Sequence, residues 1–168
     1  SIAAYKACDL ASKLVQAGHE LDVVMTREAT WFVQPLAFAA LTHRPVFTDE
    51  SWREPDGVAK HLEATRDAEL LVVAPCTANL IGKFANGIAD EIMSATYLGA
   101  RCPVLLAPAM NWRMWEHPAV TRNVETLRGD GVALVGPEAG YLAEAEEGVG
   151  RMSEPAGIVE AIARSLEG

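Results

Sequence analysis

The chain has 168 residues, half of them apolar, and 23 acidic side chains against 14 Lys and Arg give a formal charge of −9. This composition is typical of one globular domain and excludes a disordered chain. The acidity argues against nucleic-acid binding, which needs clustered cations to displace counterions from phosphates. No apolar run approaches the roughly 20 residues of a membrane-spanning helix, and no signal peptide is recognisable. The chain has three cysteines, Cys8, Cys76 and Cys102, and their spacing matches no metal-ligand pattern, so we expect no metal site. The odd number indicates reduced thiols, as in a cytoplasmic protein.

The predicted elements alternate between helices and short apolar strands. Hydrophobic periodicity and end signals predict helices over residues 4–16, 26–41, 61–68, 79–84, 90–98, 118–128 and 155–166. Aliphatic and β-branched runs predict strands over residues 21–26, 69–75, 103–108 and 132–135. Two segments are predicted to be loops, at 108–115 and at 136–154.

The order of these elements predicts the fold class. Apolar runs without alternation, such as Leu70 to Val73, indicate strands buried on both faces, as in a parallel sheet. We therefore expect an α/β fold, a doubly wound, Rossmann-like and flavodoxin-like sheet flanked by helices, in one domain over 1–168. In such a fold a strand precedes the first helix, yet Ser1 lies directly before that helix. We expect the first strand, with its Gly-containing turn, to lie outside this numbering.

Small residues and proline mark three predicted strand ends, at 74–79, 107–111 and 135–137. Ligands bind outside the carboxyl ends of parallel strands, so three marked ends predict a pocket, although a proline on its own simply ends a strand. Thr77 and Asn79 can donate hydrogen bonds to a phosphate or a planar heterocycle. Thr77 is equally suited to cap the helix that follows.

The least ordinary segment is the predicted loop at 108–115, which reads PAMNWRMW. Methionine and tryptophan often fill gaps in a core, but at a strand end they favour a ligand or a partner. Asn111 can donate from its amide nitrogen to a carboxylate. His61, judged by its own surroundings, is a surface or capping residue. The segment 136–154, rich in Gly and Glu, is either a lid or a mobile acidic loop.

Taken together, these segments resemble the flavin-dependent cysteine decarboxylases over nearly the whole chain. The loop at 108–115 follows the family pattern P-x-M-N-x-x-M-W. The segment 1–7, SIAAYKA, is similar to the family's opening, and 25–32 resembles its second loop. Four further segments, at 61–62, 74–79, 87–90 and 148–155, resemble the H-I-x-L, A-P-A-T-A-N, G-I-A-D and flap-end motifs.

The resemblance implies that FMN binds at the strand ends. The cofactor-binding residues it implies are Ser1, Ile2, Thr26, Phe32, Cys76, Thr77, Ala78 and Asn79. The substrate-binding residues it implies are Ala109, Met110, Asn111 and Met114. Asn111 is expected to hold the substrate carboxylate, and His61 to act as a catalytic base or electrostatic partner.

The similarity is greatest to the coenzyme A branch, which implies decarboxylation of phosphopantothenoylcysteine to phosphopantetheine. FMN is expected to take a hydride from the carbon that bears sulfur, so that a C=S group accepts the electrons left by carbon dioxide. Glu144 stands where this branch carries a flap cysteine. Either Glu144 or a neighbour supplies the final proton, or the reaction stops at the enethiol, as in the peptide-modifying relatives.

The resemblance also implies partners: a homotrimer or a dodecamer of trimers with substrate at a subunit boundary, and a phosphopantothenate–cysteine ligase domain after Gly168. Two other functions occur on this fold. One is a non-catalytic FMN-binding regulatory subunit, which long acidic tails would favour. The other is a prenylated-flavin synthase, which does not need the P-x-M-N loop.

Overall fold

Parallel strands flanked by helices make up the computed structural model, which describes residues 1–141, 143 and 146–167. The helices are α1 (Ala4–Gln16), α2 (Pro35–Thr42), α3 (Asp49–Trp52), α4 (Lys60–Glu63), α5 (Ala78–Ala85), α6 (Ile92–Gly99), α7 (Trp112–Trp115), α8 (Pro118–Gly129) and α9 (Pro155–Glu167). The strands are β1 (Val23–Val24), β2 (Val46–Phe47), β3 (Leu71–Cys76), β4 (Val104–Pro108), β5 (Ala133–Leu134), β6 (Glu138–Tyr141) and β7 (Glu147–Arg151). In the described ranges, no helix is both long and apolar enough to cross a membrane.

The parallel strands form two groups. β4 pairs with β3 on one side and β5 on the other, and β1 pairs with β2. All of these pairs are parallel, which confirms the predicted doubly wound α/β class. Within the described ranges, neither β1 nor β3 has a strand partner on its other side. The sheet is therefore divided between β1 and β3.

The central strands are buried on both faces, as their unbroken apolar runs predict. Leu106 belongs to a core cluster with Ile81 and Leu127, from α5 and α8. Its neighbour Leu105 belongs to a second cluster with Leu10 and Ile158, from α1 and α9. Successive side chains of a strand point to opposite faces, so two adjacent leucines fill two different layers.

The helix predicted over 26–41 is wrong as a single element. A short 3₁₀ turn (Ala29–Trp31) comes first, and α2 begins only at Pro35, its first helical residue. Proline has no N–H to donate and its ring clashes with a preceding helical turn, whereas both features are harmless at a helix start. Pro35 therefore starts a new helix and does not lie inside a longer one.

Both predicted loops contain regular structure. Trp112–Trp115 forms the one-turn helix α7, and β6 and β7 pair as an antiparallel hairpin within 136–154. The loop prediction for this second segment is wrong at 138–141 and 147–151, where the backbone is paired. Pro75, in turn, does not end its strand, since β3 continues to Cys76 through a register shift, and Cys76 lies opposite Pro108.

Asp49 connects three elements through a buried carboxylate. Its Oδ1 accepts from the backbone N–H of Ile92 at 2.8 Å, and its Oδ2 accepts from that of Arg27 at 3.2 Å. Arg27 directly follows Thr26, so Asp49 ties the turn after β1 to the start of α6. No local pattern predicts these two bonds, because the partners lie 22 and 43 residues away.

We expect Asp49→Ala to lower the free energy of unfolding by about 2 kcal/mol, because two backbone donors lose their acceptor. Asp49→Asn keeps one acceptor oxygen and should lower it by about half as much. Urea denaturation of the two variants measures the difference. Equal losses in both variants would show that the hydrogen bonds do not carry the effect.

Candidate active site

A cleft of about 1460 Å³ is lined by residues of both β1 and β3 and continues to the carboxyl ends of the strands. Its volume exceeds the roughly 300–1,000 Å³ of ordinary ligand pockets. The predicted site residues that line it are Ser1, Ile2, Thr26, Thr77, Ala78, Asn79, Ala109, Met110, Asn111 and Met114. The fold thus brings together residues from four separate segments of the chain.

Three predicted site residues do not line this cleft: Phe32, Cys76 and His61. The side chain of Phe32 is exposed on the surface. Cys76 is fully buried in the core, and this burial raises the pKa of its thiol, so the reactive thiolate is disfavoured. His61 lies on α4, which packs against α6. Glu144, together with Leu142 and Ala145, lies outside the described residues.

Two helix N-termini border the cleft. Thr77 caps α5, because its Oγ1 accepts from the backbone N–H of Leu80 at 3.4 Å. α1 begins after Ala3, whose side chain makes no capping hydrogen bond, and its first turn carries no acidic residue. Unsatisfied backbone N–H groups and the helix dipole favour an anion at such ends. The cleft is therefore suited to a ligand that carries a phosphate.

Asn111 caps a helix and also lines the cleft. Its Oδ1 accepts from the backbone N–H of Arg113 at 2.9 Å and so caps α7. The amide nitrogen, a donor, is the polar group left for a ligand in the cleft. Met110 and Met114 stand on either side along the chain and give the cleft adaptable apolar walls.

The β6–β7 hairpin packs directly on the Asn111 loop. The backbone N–H of Met110 donates to the carbonyl of Gly150 at 3.0 Å. A Cβ at Gly150 would lie 2.1 Å from the Met110 carbonyl oxygen, so only glycine permits this contact. Glu146 accepts from Trp112 Nε1 at 2.8 Å and from Arg113 Nη2 at 2.9 Å. The hairpin is thus held beside Asn111 by both backbone and side-chain bonds.

Lys6 is a cleft residue that sequence reasoning missed. Its Nζ donates to Glu154 Oε1 at 2.9 Å and to the carbonyl of Met152 at 3.4 Å, and Arg151 donates to the same carboxylate. These bonds tie α1 to the chain just after β7. A sequence feature that indicates this position is the four-residue spacing of Lys6, Leu10 and Leu14, which places Lys6 on the apolar face of α1.

The donor set of the site is that of an organic ligand. Among the residues that the structure describes, no three His, Cys, Asp or Glu side chains come together as a group that could hold a metal ion. Backbone N–H groups, an asparagine amide and methionine walls surround the cleft. This arrangement defines a doubly wound α/β protein that binds an anionic, partly apolar ligand at its strand ends.

Comparison with known proteins identifies the family. The Flavoprotein family model matches residues 1–167, and the chain belongs to this family. The chain is 50% identical over 159 residues, 95% of its length, to the coenzyme A biosynthesis bifunctional protein CoaBC of Bacillus subtilis. It is 45% identical over 153 residues, 91% of its length, to the protein of the same name from Mycobacterium tuberculosis. The chain spans 39% and 36% of the lengths of these two relatives.

Solved structures agree with this assignment. A cysteine-to-serine variant of PPC decarboxylase, complexed with pantothenoylaminoethenethiol, has a TM-score of 0.89 at 30% identity and covers 100% of this chain and 94% of its own. The FMN-dependent cysteine decarboxylase SpaF has a TM-score of 0.81 at 34% identity, over 98% of this chain and 91% of its own. The resemblance to the flavin-dependent cysteine decarboxylases is thereby confirmed.

The Lys6–Glu154 contact makes a pH-dependent prediction. Lys6 first, and Arg151 next, lower the pKa of Glu154 below its usual value of 4.5. A carboxylate with a lowered pKa stabilises the fold above its unfolded-state pKa, and this stability is lost as the pH falls through the folded-state pKa. Glu154→Gln should therefore lower Tm by about 2–4 °C at neutral pH. The gap in Tm between the unaltered protein and this variant should close below about pH 4.5.

Thermal melts of both proteins across this pH range measure the gap. Glu160→Gln, which neutralises an exposed carboxylate on α9, is the matched control and should show no such gap. A Glu154→Gln gap that stays constant from neutral to acid pH would contradict an ionic role for this contact.

Proposed function

We propose that the chain is an FMN-dependent decarboxylase that converts phosphopantothenoylcysteine to phosphopantetheine in coenzyme A synthesis. The single observation that carries this proposal is the meeting of two helix N-termini and the Asn111 amide in one cleft. The CoaBC relatives and the PPC decarboxylase neighbour support the choice of substrate.

FMN suits the cleft on physical grounds. Its phosphate needs backbone N–H donors, because the net charge of −9 opposes anions at long range. The start of α1 and the start of α5 supply such donors, and Ala3 and Ala78 are small enough for close approach. Thr26 and Asn79 lie in the same lining. Bound FMN accepts a hydride and returns it, so the overall decarboxylation needs no external reductant.

The substrate chemistry explains why the site needs both an amide donor and a second polar group. Direct loss of carbon dioxide from a cysteinyl carboxylate leaves an unstabilised carbanion, whereas a thioaldehyde accepts the electrons as an enethiolate. Asn111 holds the carboxylate in place through its amide nitrogen until carbon dioxide leaves. His61 interacts with the sulfur, where negative charge develops.

We also propose that the active enzyme is a homotrimer, or a dodecamer of trimers, with the cleft at a subunit boundary. His61 does not line the cleft of its own chain, so a second copy must bring it there if it acts in the reaction. Trp31, Phe32 and Leu36 are 69%, 52% and 76% exposed, an apolar surface that favours contact with another copy.

The setting of the enzyme follows from its relatives and its thiols. The bifunctional relatives are more than twice as long as this chain, which supports a companion phosphopantothenate–cysteine ligase domain in the full protein. Cys8, Cys76 and Cys102 are free thiols, which supports a cytoplasmic enzyme.

The residues at 142–145 are the reason to consider a second product, the enethiol. They read Leu-Ala-Glu-Ala, without the flap cysteine of the coenzyme A branch. We propose that Glu144 or a neighbour supplies the last proton, so that the saturated aminethiol forms. A carboxyl group in a closed site can hold its proton at neutral pH.

Anaerobic incubation of the FMN-loaded protein with phosphopantothenoylcysteine, followed by mass spectrometry, tests the reaction. We expect the saturated phosphopantetheine, whereas a product two hydrogens lighter would show that the reaction stops at the enethiol.

Asn111→Asp should lower kcat/KM about 10- to 100-fold, because a carboxylate replaces the donor that faces the substrate carboxylate. Asn86→Asp, at the exposed C-terminal end of α5, adds the same charge and should leave turnover intact. A protein that holds FMN but does not turn over would instead favour the regulatory role.

We further propose that the gap in the sheet accepts one more parallel strand ahead of Ser1. β1 and β3 line the gap from its two sides, and Leu10 and Leu14 of α1 supply an apolar floor. With a strand inserted there and counted first, the order of the parallel strands becomes 3-2-1-4-5-6, the arrangement of dinucleotide-binding folds. The edges of β1 and β3 then find backbone partners.

Fusing about six β-branched residues and a Gly-containing turn ahead of Ser1 tests this strand. We expect Tm to rise by at least about 5 °C, because both open strand edges become paired and the gap is filled. The same extension with a proline at its centre lacks one ladder donor and should give a smaller rise. Equal Tm values with and without the extension would rule the inserted strand out.

A further inference from the structure

A direct hydrogen bond joins Trp52 and His61, nine residues apart on α3 and α4. Trp52 Nε1 donates to His61 Nδ1 at 3.2 Å. The two rings meet edge to face, with centroids 5.9 Å apart and planes inclined by 75°. Both side chains are half-buried, so the contact is partly shielded from water.

The helix that carries Trp52 is firmly anchored despite its short length. Thr48 and Ser51 form a reciprocal capping box at its start. Asp49 bonds it to the backbone of α6. His61 also lies near Gly99 of α6, because its Cδ2 is 3.9 Å from the place that a Cβ would occupy on Gly99. The imidazole thus contacts Trp52 and lies close to α6.

The direction of this bond decides where the imidazole proton sits. An indole nitrogen donates only, so its partner must present a lone pair. In a neutral imidazole one nitrogen carries the proton and the other accepts. Since Nδ1 accepts from Trp52, the proton of His61 lies on Nε2.

We propose that Trp52 is a positioning residue that holds His61 as the Nε2–H tautomer, so that His61 acts as a hydrogen-bond donor to the substrate sulfur. This inference rests on the proposed function for its reaction, but the tautomer itself does not. A base would need a lone pair on the nitrogen that faces the substrate, and in this tautomer Nε2 offers a proton. The anion that suits such a donor is a thiolate or enethiolate, which Nε2–H stabilises without taking up a proton.

Nitrogen-15 NMR of histidine-labelled holoenzyme tests the tautomer independently of turnover. The His61 signals are assigned by their loss in His61→Gln. We expect Nδ1 to appear as an acceptor nitrogen and Nε2 as a protonated one. Trp52→Phe keeps a ring and removes the donor, and should shift the tautomer ratio about fivefold towards Nδ1–H. Trp115→Phe, on α7, is the matched control and should leave the ratio unchanged.

Two outcomes of this measurement overturn the proposal: a proton on Nδ1 in the unaltered protein, or an unchanged ratio in Trp52→Phe. Both would do so whether or not the enzyme turns over phosphopantothenoylcysteine. Absence of turnover with the expected tautomer would instead count against the proposed reaction alone, and the role of Trp52 in setting the tautomer would stand.

Kinetics of two His61 variants separate a donor from a base. The amide nitrogen of His61→Gln reaches the place of Nε2, whereas that of His61→Asn is one carbon shorter and reaches the place of Nδ1. Neither amide is a base. For a donor at Nε2 we expect His61→Gln to keep at least about tenfold more kcat than His61→Asn, with similar KM. Equal, near-complete loss of kcat in both variants would show that His61 is a base.

Discussion

The burial of β3 and β4 between two layers of helices determines the position of the whole candidate site. Leu105 and Leu106 pack into opposite helix layers, so β4 is held in place on both of its faces. β3 runs parallel to β4, and the two strands end together at Cys76 and Pro108. The residues that follow, Thr77 on one side and Met110 with Asn111 on the other, therefore lie at the same edge of the sheet. Their meeting in one cleft is a consequence of parallel pairing.

An acidic chain that binds anions must do so at short range. The net charge of −9 disfavours anions in the surrounding solvent. The cation that lines the cleft from the buried face of α1, Lys6, is already paired with Glu154. Attraction therefore comes from backbone N–H groups at the starts of α1 and α5, which act over the first turn of each helix. The residues at these helix starts, Ala3 and Ala78, are small. A larger side chain there would keep a phosphate away from the backbone N–H groups.

Local and periodic features of the fold could be predicted, and contacts between distant residues could not. The apolar run at 70–73 and the spacing along α1 are local, and the strand and the helix occur where they indicate. The hairpin within 136–154 was not predicted, because a segment rich in glycine and glutamate shows no alternating strand pattern. Its position is set by hydrogen bonds to Met110 and Trp112, which are distant in sequence. Most of the site residues that the motif resemblance implies line the cleft. The resemblance gave no reason to expect His61 outside the cleft, since a motif fixes residue types and leaves open which copy of the chain they serve.

His61 does not line the cleft of its own chain, which bears on the assembly that we propose. Trp52, His61 and Gly99 belong to one chain, and so do the capping box and the Asp49 bonds that anchor α3. The orientation and tautomer of the imidazole are thus set within each copy before any contact with another. In the trimer that we propose, a neighbouring copy then has only to supply the cleft. A donor prepared in this way needs no reorganisation when negative charge develops on sulfur, which is the condition under which electrostatic stabilisation lowers a barrier most.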